Sequence, residues 1–343
     1  MLINLLKKQI KKLFLATPPT LNIVNKKILT NDYDYKINSF GNLNKNKIFY
    51  VIRRSPGTGL FSNLTFVLNH MLIAKKFGFI PVVDMKNFIT IYNEKNSINY
   101  TKNAWEYYFK PISKYSLDEV YKSHKVVFCS NKFYNTFCYN IEKDDPIKRI
   151  FQKEIKFTDK IYEEFKYIKN QFYTNKVLGI HFRGTSYKSS PGHPFPATTN
   201  QMISLTNRLI KKYKFSKIFL ATEEESYLKV FKKEFKDKLV YLKDIYRSNK
   251  NDAFKKYPRK NHRYKLGKDI ILEMLLLSSS NYFVYVESNV SSAVMGLNMN
   301  KKQKRLKINN GTNSKNQFLA QWLWYVKRIL PNNFGGFRNQ TKI

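Results

Sequence analysis

Three consecutive residues, Arg183, Gly184 and Thr185, are of the types expected in a phosphate-binding site. They end the apolar run at residues 177–182, which predicts a buried strand. Ligands of open α/β sheets bind beyond the carboxyl ends of the strands, so this arginine is expected to face a ligand. Its guanidinium offers two parallel donors to phosphate oxygens, and the glycine lets the backbone approach closely. We therefore expect Arg183 to bind a phosphate group; a surface salt bridge is the alternative.

A histidine and a group of serines extend this candidate site. His181 lies two residues before Arg183, so both side chains leave the same face of the strand. It is expected either to line the ligand pocket or to be an ordinary buried histidine. Ser288, Ser291 and Ser292 follow another predicted strand, where their hydroxyls could donate to phosphate oxygens near a helix N-terminus. Helix capping is the alternative for the serines, and the two roles are compatible.

A second candidate site is the glycine-containing loop at residues 55–62. It follows a predicted strand at residues 48–52 and precedes a helix at 64–77, where apolar residues recur at helical spacing. A further strand at residues 79–84 completes a strand, loop, helix, strand unit. Such a loop presents backbone N–H groups at a helix N-terminus, which favours an anionic ligand.

The elements that must position these residues alternate along the chain. After residue 176 the pattern predicts strands separated by helices, which is typical of a parallel sheet with helices on both faces. We predict an α/β fold with two Rossmann-like domains that face a cleft, at residues 21–175 and 176–312. A basic amphipathic segment at residues 1–20 precedes them. A long apolar helix within residues 313–343 is expected to pack back on the first domain.

Composition limits the classes of function. The 343 residues carry 62 Lys and Arg against 24 Asp and Glu, a net charge of +38, which suits nucleic acid, an anionic membrane or acidic ligands. The lysines are spread over the whole chain beside abundant Asn, Ile, Tyr and Phe, which favours a general compositional bias. No zinc-finger spacing or aromatic RNA-binding signature occurs. A basic nucleic-acid-binding protein is the alternative to an enzyme.

The cysteines and the N-terminal residues bear on location. Cys129 and Cys138 are the only two cysteines, which fits a reducing compartment, and no run of about 18 apolar residues predicts a membrane span. Apolar and lysine residues alternate at helical spacing over residues 2–13. This segment is expected either to lie on an anionic membrane or to pack on the protein. We expect a cytoplasmic protein, with peripheral contact at the inner membrane surface left open.

Only one Asp-x-Asp string occurs, at Asp32 and Asp34. Metal-dependent sugar transferases commonly use such a pair for Mn²⁺ or Mg²⁺. Here it precedes the first predicted strand and has no flanking apolar run that would place it at a sheet edge. We therefore interpret it as a loop and expect neither a metal nor another cofactor.

Taken in order, the motifs resemble those of the fucosyltransferase clan, which includes α-1,6- and α-1,2-fucosyltransferases and protein O-fucosyltransferases. His181-Phe-Arg183-Gly184-Thr185, followed by His193-Pro194, resembles the clan's His-x-Arg-(Arg/Gly)-Thr-Asp and His-Pro block. Segments at residues 56–63, 219–224, 269–274 and 287–293 resemble its other motifs. The likeness covers roughly residues 50–80 and 177–298.

The resemblance implies a GT-B-like fold and an inverting, metal-independent glycosyltransferase that transfers fucose from GDP-fucose to a glycan or glycolipid acceptor. Arg183 would stabilise the charge that grows on the β-phosphate, and Glu273 would accept hydrogen bonds from guanine. The implied catalytic residues are Arg183, His193 and Asn63. The implied donor-binding residues are His181, Gly184, Thr185, Thr222, Glu273, Ser288, Asn289, Ser291 and Ser292, and the implied N-terminal loop residues are Gly57, Gly59, Phe61 and Ser62.

Two departures from the family pattern affect the catalytic step. Ser186 stands where the family usually has Asp, and no carboxylate lies between Thr185 and His193 to match the glutamate that some members use as base. The proton acceptor is therefore open among His193, Asp84 and Asn63, the last by positioning alone. A catalytically silent relative that binds nucleotide or carbohydrate is a further alternative.

Overall fold

The computed structural model describes residues 36–130, 145–173 and 175–338. The basic segment at residues 1–20, the Asp32 and Asp34 pair, and Cys138 lie outside the described residues. Cys129 is a buried free thiol.

The first half builds a small mixed sheet. Its elements in chain order are β1 (Ile37–Asn38), β2 (Phe49–Ile52), α1 (Leu60–Lys76), β3 (Ile80–Val83), α2 (Leu117–Val120), β4 (Val126–Phe128), α3 (Pro146–Glu154) and α4 (Asp159–Phe172). The strand order is β1-β4-β2-β3, with only β1 antiparallel to its neighbour. The strand, loop, helix, strand unit predicted from residue 48 onward is present.

The second half builds a five-stranded, all-parallel sheet. Its elements are β5 (Val177–His181), α5 (Thr199–Tyr213), β6 (Lys217–Ala221), α6 (Glu225–Phe235), β7 (Leu239–Val240), α7 (His262–Ser279), β8 (Tyr282–Tyr285), α8 (Asn289–Leu297), β9 (Lys304–Lys307) and α9 (Gln317–Ile329). The strand order is β7-β6-β5-β8-β9. All five residues of β5 are buried, because this central strand is covered on both faces.

One hydrophobic core joins the two halves. It contains residues of α1 and β2 together with residues of α7 and α8. Hydrogen bonds also cross between the halves: Tyr108 Oη donates to the carbonyl of Tyr264 at 3.1 Å, and the Gln152 amide donates to the carbonyl of Gly296 at 2.7 Å. The two sheets therefore hold a defined orientation toward each other.

Helix α9 does not pack as the sequence predicts. Leu323 and Trp324 form a small cluster with Phe195 and Phe337, and Trp324 Nε1 donates to the carbonyl of Pro196 at 2.9 Å. The helix thus packs mainly on the segment that follows β5, in its own half, rather than on residues 21–175. The buried face of the helix is formed by positions 320, 323, 324 and 327, whereas the apolar side chains of Phe318, Leu319 and Trp322 are exposed.

No helix among the described residues has the length and apolar character needed to cross a bilayer.

Candidate functional site

A cavity of about 570 Å³ lies where the carboxyl ends of β5 and β6 meet the start of α1. Its volume falls within the range of about 300–1,000 Å³ that is usual for small-molecule sites. The second sheet contributes the residues that follow each of the two strands, and the first half contributes the glycine loop. The cavity is thus shared by both halves, and the expectation of a ligand beyond the carboxyl ends of the strands applies to it.

Arg183 lines this cavity directly after β5. Its guanidinium lies 4.4 Å from the centroid of the Tyr187 ring, and its Nε is 3.9 Å from Glu223 Oε1. The Nε is buried and has no hydrogen-bond partner. Burial is the largest single effect and works to lower the pKa of Arg183, but the electrostatic effects of Glu223, Tyr187 and Tyr92 together outweigh it, so the pKa is raised. A permanently charged group with an unused donor is therefore available to an anionic ligand.

The loop after Arg183 is tied to two carboxylates at the end of β6. Glu223 Oε1 accepts from the backbone N–H of Gly184 at 3.1 Å and from the Thr185 hydroxyl at 3.0 Å. Glu224 Oε2 accepts from the backbone N–H of Thr185 at 2.8 Å. The Thr185 hydroxyl, expected to donate to phosphate, donates to Glu223 instead, although Thr185 does line the cavity.

Gly184 does not line the cavity but is required for this loop. A Cβ at this position would lie only 1.9 Å from Glu224 Oε2, so a larger residue would displace the carboxylate. Lys188 completes the arrangement: its amine lies 2.6 Å from Glu224 Oε1, the Glu224 side chain is buried, and the Lys188 side chain is partly buried. Sequence reasoning identified the Glu223-Glu224 motif but missed that it supports the arginine loop.

The glycine loop forms the opposite wall. Gly59, Phe61 and Ser62 line the cavity at the N-terminus of α1. Gly57 has a φ of +71°, and Asn63 accepts from the backbone N–H of Thr58 at 3.0 Å. Asn63 is 2% exposed and does not line the cavity, so it holds the loop in shape.

Two further residues of the first half line the cavity and were not predicted. Arg54, two residues after β2, donates through Nη1 to the Ser62 hydroxyl at 3.2 Å and brings a second guanidinium to the site. Its place beyond the carboxyl end of a strand is the signal that could have identified it. Tyr92 Oη accepts from the backbone N–H of Leu60 at 2.8 Å. Tyr92 comes from a long loop without regular structure, so no sequence pattern indicated it.

Both predicted histidines line the cavity. Burial, and secondarily the charge of Arg183, lower the pKa of His181 to about 3, and its Nδ1 has no hydrogen-bond partner. The same two causes lower the pKa of His193 below its ordinary value. The His193 ring lies 5.0 Å from the Tyr187 ring, beside the arginine loop. Both imidazoles are therefore neutral near pH 7.

Glu273 on α7 also lines the cavity. Burial, opposed by the charge of Arg247 and supported by that of Asp269, raises the pKa of Glu273 to about 8. Its Oε1 is buried without a hydrogen-bond partner, and Arg247 Nη2 is 3.9 Å away. Thr222 also lines this region, and its carbonyl accepts from Arg247 Nε at 3.0 Å. A buried carboxyl group with an unused oxygen can recognise a ligand that donates hydrogen bonds.

The three predicted serines are not among the residues that line the cavity. Ser288 caps α8 by accepting from the backbone N–H of Ser291 at 3.1 Å, and the Ser291 hydroxyl lies 2.9 Å from the Ser288 backbone N–H. The Ser292 hydroxyl donates to the carbonyl of Ser288 at 3.0 Å. These bonds show the capping role for the serines, and their compatible role in phosphate binding stays a prediction. Asn289, at the first turn of α8, does line the cavity.

Asp84, one of the candidate bases, is not part of the site. It is fully buried, and its carboxylate accepts from the backbone N–H groups of Lys86 and Asn87 and from the Tyr121 hydroxyl at 2.6 Å. Within the described residues, no three His, Cys, Asp or Glu side chains are grouped so that they could hold a metal ion.

Comparisons with known proteins identify structures of similar fold. No protein-family model and no curated protein matches the chain. The structure is similar to that of the α-1,6-fucosyltransferase NodZ co-crystallised with GDP, with a TM-score of 0.50 and 14% identity over 78% of this chain and 97% of that one. NodZ from Bradyrhizobium matches with a TM-score of 0.47 and 14% identity over 74% of this chain and 93% of that one. The apo form of POFUT1 matches with a TM-score of 0.43 and 10% identity over 77% of this chain and 99% of that one.

The first of these similarities confirms the predicted fold class. The chain has an α/β, GT-B-like fold, as expected from its sequence, and its strands are parallel except for β1. At 14% identity the similarity is one of fold, and the chemistry must be argued from the residues of the site.

Proposed function

We propose that this protein is an inverting, metal-independent glycosyltransferase that transfers fucose from GDP-fucose to a glycan or glycolipid acceptor. The observation that carries the proposal is Arg183, whose charged guanidinium lies beside the cavity with a buried Nε that has no hydrogen-bond partner. The fold similarity to a fucosyltransferase co-crystallised with GDP supports the same conclusion.

The donor is proposed to span the cavity from Glu273 to Arg183. Glu273 lines the cavity with an unused carboxyl oxygen, which suits the N1–H and amino donors of guanine. Arg183 and Arg54 bring two guanidinium groups to the cavity, and their positive charge suits the diphosphate. These cations supply the stabilisation of the departing diphosphate that other sugar transferases obtain from a metal ion.

In the proposed reaction, an acceptor hydroxyl attacks the anomeric carbon from the face opposite the diphosphate. The new carbon–oxygen bond forms as the bond to the β-phosphate oxygen breaks, which inverts the configuration and leaves GDP. His193 takes the proton of the acceptor hydroxyl, since its pKa is lowered and its imidazole is neutral near pH 7. Arg183 stabilises the negative charge that develops on the β-phosphate.

Thermal unfolding with GDP, GDP-fucose, UDP and ADP in the presence of EDTA tests this proposal. Ligand at about 100 times its Kd stabilises a folded protein by about 2.7 kcal/mol, which gives a clear shift in Tm. We expect the two guanine ligands alone to raise the Tm, without metal, and Arg183→Ala to abolish the shift.

Arg53→Ala is the matched control, because Arg53 stacks on Phe88 and Phe128 and does not line the cavity. It is expected to keep the guanine-dependent shift. Equal stabilisation by all four nucleotides, or none by any, would contradict the proposal. Salt-sensitive binding of nucleic acid without a nucleotide response would instead favour the basic nucleic-acid-binding protein.

A further inference from the structure

Helix α9 has two apolar faces, and only one of them is buried. Ala320, Leu323 and Trp324 are buried, and Leu323 and Trp324 pack with Phe195 in the segment after β5. On the other side Phe318 is 72% exposed, Trp322 59% and Ile329 65%. An ordinary surface helix buries its one apolar stripe and presents polar residues to solvent. The second stripe of α9 therefore needs a separate explanation.

The exposed stripe is continuous. Phe318, Trp322, Tyr325 and Ile329 are spaced by three or four residues, so they follow one another along a single side of the helix. We call these four residues the aromatic stripe. Contiguous apolar surface of this kind marks a site of interaction with another molecule or with a membrane.

The residues around the stripe are basic, which indicates the charge of its partner. The sequence contains no Asp or Glu after Glu287. Lys315 and Arg328 are exposed at and near the two ends of α9, and Arg338 is exposed in the segment that follows it. A second copy of this face would place positive charges against positive charges. The lysine-rich residues 1–20 of the same chain would do so as well. An anionic surface is the complementary partner.

The residue types of the stripe favour a lipid surface. Tryptophan and tyrosine carry an apolar ring with a polar edge, and they concentrate where hydrocarbon meets headgroups. Basic residues near such rings pair with the phosphates of anionic lipids. We propose that the aromatic stripe of α9 docks on the surface of a membrane that contains anionic phospholipid.

The position of α9 gives this docking a consequence for the site. Lys188 lies in the segment that leaves the arginine loop, and its amine is 5.0 Å from the centroid of the Trp324 ring on the buried side of α9. Ser190 and His193 in the same segment line the cavity. Docking would therefore bring the rim of the cavity near the lipid surface. The docking proposal stands independently of the proposed transferase activity.

Tryptophan fluorescence of the full chain offers a direct test. Of the three tryptophans, Trp105 is 3% exposed and Trp324 2%, so Trp322 alone reports on the stripe. Vesicles of phosphatidylcholine mixed with phosphatidylglycerol should shift the emission to shorter wavelength, and pure phosphatidylcholine should not. Trp322→Phe should remove the shift while the protein still binds, because the aromatic face is kept. An unchanged spectrum with bound vesicles would overturn the proposal.

Vesicle co-sedimentation measures how strongly the protein binds to vesicles. The double variant Phe318→Ser, Trp322→Ser should bind the mixed vesicles at least about tenfold more weakly, since it loses most of two apolar side chains. Tyr100→Ser, Tyr167→Ser is the matched control, because it removes two exposed aromatic rings elsewhere and should bind normally. Raising the salt concentration should weaken binding of the unmodified chain.

Two outcomes would overturn the proposal in favour of another explanation. If the stripe variant binds vesicles as well as the unmodified chain, and deletion of residues 1–16 abolishes binding, the N-terminal segment is the membrane contact instead. If the unmodified chain sediments as a dimer and the stripe variant as a monomer, with no vesicle binding by either, the stripe is an interface between two copies.

Discussion

Arg183 is placed by few contacts, and this leaves its charge available. Its guanidinium is stacked on Tyr187 and lies 3.9 Å from Glu223, a distance that gives attraction without a close hydrogen bond. A planar fork in this setting can engage two phosphate oxygens at once, which a lysine amine cannot do. The chemistry proposed for the site therefore depends on the shape of this side chain as well as on its charge.

Replacement of Arg183 should reduce turnover steeply. We expect Arg183→Ala to lower the rate of GDP release from GDP-fucose, with water as the acceptor, by about 10²–10³, the usual loss for one charge-stabilising donor. Arg183→Lys should recover little of this rate. A loss below about threefold in the alanine variant would show that another group stabilises the leaving diphosphate.

Glu273 gives the site a pH dependence of its own. Because burial raises its pKa to about 8, the carboxyl group of the free protein is mostly protonated at pH 7. Guanine donors require the ionised form, so binding must displace the proton. Affinity for guanine should therefore rise as the pH increases toward 8 and level off above it.

Guanosine binding between pH 6 and pH 8 measures this effect, since guanosine has no phosphate that titrates in the same range. The Kd should fall by up to about tenfold for each pH unit. Glu273→Gln carries no titrating carboxyl group and should bind guanosine weakly, with little pH dependence. A Kd that rises with pH in the unmodified protein would contradict the assigned role.

The arginine loop is the element on which the site depends most. Gly184 and Thr185 are held by Glu223 and Glu224 at the end of the neighbouring strand, and Lys188 neutralises Glu224 from the other side. Buried carboxylates are stable only when they are paired and hydrogen-bonded, and here each bond also fixes the loop. The end of β6 thus positions a residue that follows β5.

Gly184→Ala should disrupt this element. The added Cβ would lie 1.9 Å from Glu224 Oε2 and 2.8 Å from the Tyr227 ring, so the carboxylate must move. We expect a loss of about 1–3 kcal/mol in the free energy of unfolding, measured with urea, together with weaker GDP binding.

Gly59→Ala provides the comparison for stability, because no atom lies within 4 Å of a Cβ at that position and its φ is −56°. It should change the free energy of unfolding by less than Gly184→Ala. Equal losses of unfolding free energy in the two variants would indicate that the close contact between Gly184 and Glu224 does not affect stability.

At the scale of the whole molecule, the two halves share one core instead of meeting across an open hinge. Gly267 on α7 leaves space for Tyr108 of the first half, since a Cβ there would lie 2.2 Å from the tyrosine oxygen. Glu94 in turn accepts from the backbone N–H of Tyr264 at 2.9 Å. The cavity wall formed by α1 is therefore held in register with the wall formed by β5 and β6.

The sequence by itself determined the local elements and the residues at their ends. Apolar runs and helical spacing located β2, α1, β5, β6 and β8, because buried strands and amphipathic helices leave a periodic pattern. The rule that ligands bind beyond the carboxyl ends of strands predicted that Arg183 faces a ligand, and Arg183 does line the cavity. The order of the motifs predicted the fold class, which the structural similarity confirmed.

Only the tertiary structure decided which polar groups remain free. Ser288 and Ser291 hydrogen-bond in the cap of α8, and Asn63 hydrogen-bonds within its own loop. Arg54 and Tyr92 line the cavity although no sequence motif indicated them. Likewise, the periodicity of α9 showed an apolar helix but could not show which side is covered. Burial, and hence which side chains reach the cavity, depends on residues distant in the chain, so no local pattern contains it.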